Sequence, residues 1–501
     1  MNKEEILEKA KYYANYIKCY QYISMVFEFD HETIAPKNGL EEGDEAMSQL
    51  SNDIFKVFKS DDYTNFVKEA YEKRNLFDKY QRRAFELNYR SFYKNINKTP
   101  EFQYEESLTV SRSFTIWREA KDKSDYSIFE PALSKAVDIV RKEIELRPYH
   151  FKTPYDTLLD DYEPGENEEF LDYFFSELKK GIIPLVKKIN AKKEKIRTDF
   201  MSYKVAIPKQ EKLAKYFLKF NGFDMDSGVL STTEHPFTTF PSHHDVRVTT
   251  HYYENNFISN IFSVIHEGGH AIFAQNEPDK FYDIALAGNQ TSAQHETISR
   301  FYENIIARNP NYIEKVYKKV QSSCGKKFKD VSLDEFYKAV NIVTPSLIRT
   351  ESDELTYCLH IIIRYELEKD LINGKIETKG LNEEWNKKYL EYLGVKPSND
   401  KEGILQDVHW SQASFGYFPS YALGNAYGAQ ILSTMKKELD IDETIKKGQM
   451  SKIKNWLKKN VFNSASLLDP SDWVKAITGE ELNPKYYLDY LTEKYSKIYN
   501  L

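Results

Sequence analysis

Helix breakers are scarce in this chain, with 19 glycines and 17 prolines in 501 residues, about half their usual share. That deficit favours long helices, and no Gly/Ser-rich, Pro-rich or low-complexity tract marks a boundary between domains. The three cysteines, Cys19, Cys324 and Cys358, are far apart and form no CxxC pair, which excludes a disulfide framework and fits reduced, packed thiols. No run of about 18 apolar residues occurs, so no membrane span is expected. Neither sign of charge dominates. The 70 Lys+Arg against 77 Asp+Glu leave −7, and charges of both signs alternate, so nucleic acid is not an expected partner. The opening residues carry Glu4 and Glu5 where a secretory signal has its apolar run, and a cytoplasmic location is expected. No internal repeat is visible, which excludes a solenoid.

What the chain has is aromatic residues (37 Tyr, 31 Phe, 5 Trp), an apolar share of 41% and a mean hydropathy of −0.64, the profile of a globular protein with a large core. Helical spacing dominates, as in Ile6, Ala10, Tyr13 and Ile17, and again over 165–200 and 333–370. The expectation is one mostly α domain over residues 1–501. The basic run 187–195 reads as a solvated helix face, and the acidic stretch 160–166, with its Pro-Gly pair, as a loop. Residues 245–252 are β-branched without helical periodicity and predict a strand just before the most informative helix.

That helix holds His266-Glu267-Gly268-Gly269-His270, an HExxH. Ile258, Ile261, Phe262, Ile265 and Phe273 recur around it at helical spacing. The i, i+4 interval puts both imidazoles one turn apart on one face, where they can share a Zn²⁺, while Glu267 is rotated about 100° away and can reach a water. Two adjacent glycines inside a helix cost roughly 1 kcal/mol each relative to Ala, which implies that another element comes very close there. Zinc requires a third protein ligand. Downstream, Thr291 and Gln294 read as a capping box opening a helix that runs toward Asn309-Pro310, and its first turns offer His295 or Glu296; either has suitable chemistry.

The ordered blocks resemble the M32 metallocarboxypeptidase family, the thermostable-carboxypeptidase type, over nearly the whole length. His235-Pro236-Phe237 resembles its HPF, Asp245 to Thr249 its DxRxT, His295-Glu296 the start of its HESQ, and Ile348 to Tyr357 its IRxEADELTY. Val408-His409-Trp410-Ser411 and Phe415 to Asn425 resemble its last block, and Leu158 to Gly165 is also similar to the family. The resemblance implies His266, His270 and Glu296 as metal ligands and Glu267 as the catalytic glutamate. It also implies a zincin-like helical peptidase with a deep cleft between two helical halves and a small β-element beside the HExxH helix, commonly a homodimer, releasing C-terminal residues from peptides with broad specificity. Zn²⁺ is the expected cofactor, although His₂Glu also accepts Co²⁺ or Mn²⁺. Departures from the pattern are Thr297-Ile298 for Ser-Gln, Ser352 for Ala, and Gln412-Ala413 where glycines are common.

Within this reading Glu267 moves the proton, and Tyr417, Tyr421 and His409 are candidate donors to a developing oxyanion. Arg349, then Arg247, are candidates to clamp the substrate carboxylate with a guanidinium fork, although Glu351 and Asp353 are possible ion-pair partners of Arg349. His235 is a candidate donor to the substrate backbone. The competing readings are an endo-acting oligopeptidase built on the same site, a non-catalytic binding homologue, and a helical scaffold without metal.

Overall fold

In the computed structural model, which describes every residue except Lys193 and Glu194, helices make up most of the chain. The only sheet among the described residues has three short strands, β1 (Gly228–Thr232), β2 (Thr238–Ser242) and β3 (Asp245–Thr250). β3 is central, parallel to β1 and antiparallel to β2. Pro241 sits in edge strand β2, where the register slips between Thr239 and Ser242, a position that tolerates its missing N–H. The expected strand therefore exists but ends at Thr250, before His251 and Tyr252.

Two hydrophobic cores organise the helices. A small one (Ile6, Tyr13, Tyr63, Phe66, Val67, Ala70, Phe85) joins helices of the first ninety or so residues. The large one runs from Trp117 to Ile498. The opening helix, Lys3–Thr33, reaches across to the sheet, where Tyr22 donates to Asp245 at 2.9 Å and Phe29 meets Phe237.

The helix Phe257–Ala274 lies at the centre of the large core, packed against β3 and the helix Ile207–Asn221. It starts at Asn256, whose side chain accepts the Ser259 N–H. It is buried on all sides but one. Only Ser259, Ser263, His266 and His270 escape full burial, spaced four, three and four apart, so a single narrow stripe of this helix opens to solvent and the two histidines end it.

Several local expectations need correction. Cys324 and Cys358 are buried, but Cys19 is exposed on the outer side of the opening helix. The basic run is helical only to Asn190, with Lys187 and Lys188 exposed, and its Lys193 and Glu194 lie outside the described residues. The acidic stretch begins inside a helix, Pro154–Tyr162, and its Glu163 and Glu166 are buried. The helix opened by Thr291, with its capping box present, is α-helical over Ser292–Arg300 and continues as a π-helical turn to Ile306, short of Asn309.

Candidate metal centre

Gly269 explains how two helices meet. A Cβ there would lie 2.7 Å from Ser299 Cα and 2.9 Å from the Ile298 carbonyl oxygen, so only glycine lets the HExxH helix approach the Ser292–Arg300 backbone this closely. On the other flank Gly424, in the helix Pro419–Glu438, faces Glu296 itself, since a Cβ would stand 3.0 Å from Glu296 Cβ. The Ser292–Arg300 helix is thus held between two bare helix surfaces, and the Glu296 carboxylate lies beside both histidines.

Glu296 Oε2 lies 3.7 Å from His266 Nε2 and 3.5 Å from His270 Nε2. Tetrahedral coordination with bonds of about 2.0–2.2 Å puts ligand atoms roughly 3.4 Å apart, so this donor set fits a single divalent cation. It is the one such group among the described residues. Supporting contacts leave both imidazole Nε2 atoms free, while Glu296 Oε2 also accepts from Ser299 Oγ at 3.1 Å. His266 Nδ1 meets Glu303 Oε2 at 3.0 Å, and Arg300 Nε donates to Glu296 Oε1 at 2.6 Å. Burial disfavours charge on Glu296 and Glu303, but Arg300 and the histidines outweigh it, holding Glu296 well below the usual carboxylate range and Glu303 at about 2. His270 Nδ1 meets His295 Nδ1 at 2.6 Å. Burial, then His270, push His295 well below the ordinary histidine value, so it is neutral and can accept from His270, leaving His270 Nε2 inward. Glu296, not His295, therefore joins the two histidines in the cluster. Glu267 turns to the sheet, where Thr238 Oγ1 of β2 donates to its Oε2 at 2.7 Å.

A second wall continues from Glu296. Arg300 lies over the Tyr357 ring at 4.4 Å, Tyr357 OH accepts from Arg349 Nη1 at 3.1 Å, and Arg349 lies over the Tyr421 ring at 4.8 Å. Tyr421 OH is 3.5 Å from His409 Nε2, and Tyr417 meets Tyr421 edge-on. Burial lowers His409 to about 4, so it is uncharged at neutral pH, and burial raises both tyrosines. Arg349 pairs with neither Glu351 nor Asp353. Its Nε and Nη2 donate to Asp407 Oδ1 at 3.0 and 2.9 Å, and Arg364 holds the other Asp407 oxygen. One side of its fork is thus closed and one N–H of Nη1 is held by Tyr357, so one N–H on each of Nη1 and Nη2 remains. Among the described residues, neither Arg247 nor His235 has a hydrogen bond, ion pair or ring contact with this wall. Arg247 is closed bidentately on Asp245 beside Phe29, and His235 is exposed between β1 and β2.

The profile described as Carboxypeptidase Taq (M32) metallopeptidase matches residues 9–495. The chain belongs to the M32 metallocarboxypeptidases. It is 42% identical to Carboxypeptidase 1 of Bacillus subtilis (strain 168), an alignment covering 99% of this chain and 98% of that one. Among solved structures it is similar to a Pyrococcus furiosus carboxypeptidase (TM-score 0.94, 32% identity, 99% of each chain). It also resembles the M32 carboxypeptidase from Deinococcus radiodurans R1 (TM-score 0.95, 28% identity, 99% of this chain and 100% of that one).

In this M32 peptidase the departures have local explanations. Ile298 is buried in the core, and Thr297 Oγ1 bonds to the Ala293 carbonyl at 2.7 Å, so neither replaces a partner of Glu296, which is held by Arg300 and Ser299. Ser352 Oγ donates to the Arg349 carbonyl at 2.7 Å. Ala413 adopts φ 57°, the left-handed region that favours glycine. Sequence reasoning missed Arg300, Glu303, Tyr357, Asp407 and Thr238. Arg300 and Glu303 stand four and seven residues after Glu296, on the same helix face, and that spacing was the available signal.

Proposed function

We propose that this protein is a zinc-dependent carboxypeptidase that releases residues from the free C-termini of peptides with broad specificity. His266, His270 and Glu296 would hold Zn²⁺, with Co²⁺ or Mn²⁺ as chemically acceptable substitutes. The observation that carries this reading is the convergence of three donors at 3.5 and 3.7 Å beside a glutamate in HExxH register. When bound, the cation supplies Lewis acidity, polarising a carbonyl and lowering the pKa of water toward about 7.

The chain's own groups supply the rest. Thr238 holds Glu267 Oε2, so Oε1 is the oxygen that takes the proton of the attacking water and returns it to the leaving amine. Tyr421 and Tyr417, raised by burial, keep their hydroxyl protons and donate them as hydrogen bonds to the oxyanion. Neutral His409 orients the Tyr421 hydroxyl. Arg349, fixed by Asp407 and Tyr357 and facing Tyr421, takes the substrate carboxylate with the one remaining N–H on each of Nη1 and Nη2. It takes precedence over Arg247, whose fork is committed to Asp245, and His235 is at most a peripheral contact. We take residues 1–501 as one catalytic domain, supported by the match over 9–495, and a cytoplasmic homodimer as the working assembly.

The test is to incubate one peptide as free acid and as C-terminal amide and weigh the products. Stepwise loss from the acid form alone supports the reading, while internal cuts in both forms make the enzyme an endo-acting oligopeptidase. Arg349→Ala should raise KM for the free acid far more than for the amide, and equal effects would remove Arg349 from carboxylate binding.

A further inference from the structure

The segment from Leu158 to Gly165 belongs to none of the groups assigned above, yet it touches both walls of the site. Leu158 presents its backbone to Gly416, where a Cβ would lie 3.0 Å away. Tyr162 meets the Tyr417 ring edge-on at 5.2 Å. Asp161 is anchored by Arg147 at 2.6 Å and Lys94 at 3.0 Å. Glu163, at the end of the Pro154–Tyr162 helix, is 1% exposed. Its Oε1 accepts the Ala293 N–H at 2.8 Å and the Ser420 hydroxyl at 2.7 Å, and the Thr291 hydroxyl also bonds to the carboxyl group.

We propose that Glu163 is a positioning residue for the metal centre, tethering through one oxygen the starts of the two helices that carry Glu296 and Tyr421. Ala293 is one turn before Glu296, and Ser420 immediately precedes Tyr421 and lies one turn before Gly424, the residue against which Glu296 rests. Both partners sit in first helical turns. A hydrophobic residue could pack in this place, and the Thr291–Gln294 capping box already closes one helix start. What a buried acceptor adds is a fixed spacing between the two starts, and hence the angle at which Glu296 and the tyrosines face the histidines. The inference rests on the proposed metal site.

The test uses the full-length protein stripped of metal and titrated with Co²⁺. The readouts are Co²⁺ affinity by chelator competition, its visible spectrum, the melting temperature of the apoprotein, and kcat and KM on a peptide. Glu163→Ala should weaken Co²⁺ binding by about 10- to 100-fold and change the spectrum, as loss of an orienting partner does at other metal sites. Its kcat should fall more than its KM rises. Glu163→Gln keeps an acceptor oxygen and should restore affinity and spectrum to near wild type. Ser420→Ala cuts one end of the same tether and should lower kcat and weaken Co²⁺ binding, both less than Glu163→Ala does. Wild-type affinity and spectrum in Glu163→Ala, with only a lower apoprotein melting temperature, would reduce Glu163 to a packing residue, as would a Gln variant no better than Ala. Should Glu163→Ala fail to fold, Ser420→Ala with unchanged kcat overturns the proposal. A wild-type protein that binds no Co²⁺ overturns the metal reading itself, a distinct failure.

Discussion

Gly269→Ala is the sharpest perturbation of the proposed metal centre that changes none of its donor residues. On an open helix the change would stabilise by about 1 kcal/mol. Here the new methyl would sit 2.7 Å from Ser299 Cα, 2.9 Å from the Ile298 oxygen and 3.2 Å from its carbonyl carbon, all backbone atoms that no rotamer change can move. Ordinary carbon contacts are about 3.5–4.0 Å, so the helices must part by most of an ångström. Overpacking of this kind costs about 1–3 kcal/mol. The same displacement carries Glu296 away from His266 and His270, and an ångström of misplacement in such a site costs on the order of 100-fold. Gly268→Ala is the internal control, because its methyl meets only Leu218 Cδ2, at 2.8 Å, the mobile end of a side chain. Zn²⁺ affinity by chelator competition and thermal unfolding of the apoprotein read both effects. Gly269→Ala should lose metal affinity and stability, and Gly268→Ala should change both far less. Unchanged affinity in Gly269→Ala, or the reverse order of the two variants, refutes the close-approach argument.

Glu267→Gln should keep wild-type metal content while kcat falls by several orders of magnitude, and normal turnover would exclude Glu267 as the proton carrier. Ala413→Gly relieves a left-handed alanine and should raise unfolding stability by about 1 kcal/mol, measured by denaturant titration; a loss of stability would show that the turn depends on the methyl. Glu277, pushed up to about 7 by burial, keeps its proton where an unfolded glutamate has released it above about 4.3. The folded state then binds more protons, so this contribution is complete below about pH 4.3 and is lost as pH rises through about 7, at up to about 1.4 kcal/mol per pH unit. Glu277→Gln should flatten that decline in melting temperature, and an unaltered slope contradicts the assignment.

The HExxH helix was legible because three signals agree locally: histidine spacing, the flanking apolar period and the glycine pair. The third member of the proposed metal site was not fixed by local pattern. His295 and Glu296 are neighbours on one helix, and which of them faces the histidines depends on how closely the helices approach, a distance set by Gly269 and by Gly424, far along the chain. Arg349 illustrates the same limit. Glu351 and Asp353 were the nearest carboxylates in sequence, but Asp353 caps the helix Glu354–Ile372 through Thr356, and the actual partner, Asp407, stands 58 residues away. Buried ion pairs of long range leave no periodic trace. Likewise, the acidic stretch 160–166 reads as a loop because composition cannot distinguish an exposed carboxylate from one that, like Glu163, is buried between two helix starts.

The central claim is a cation held by His266, His270 and Glu296, and anomalous diffraction at the zinc edge from crystals grown with Zn²⁺ tests it most directly. The account predicts one strong peak about 2 Å from His266 Nε2, His270 Nε2 and Glu296 Oε2, absent in Glu296→Ala crystals. A peak held by His295 in place of Glu296, or no density between the two imidazoles, would contradict it.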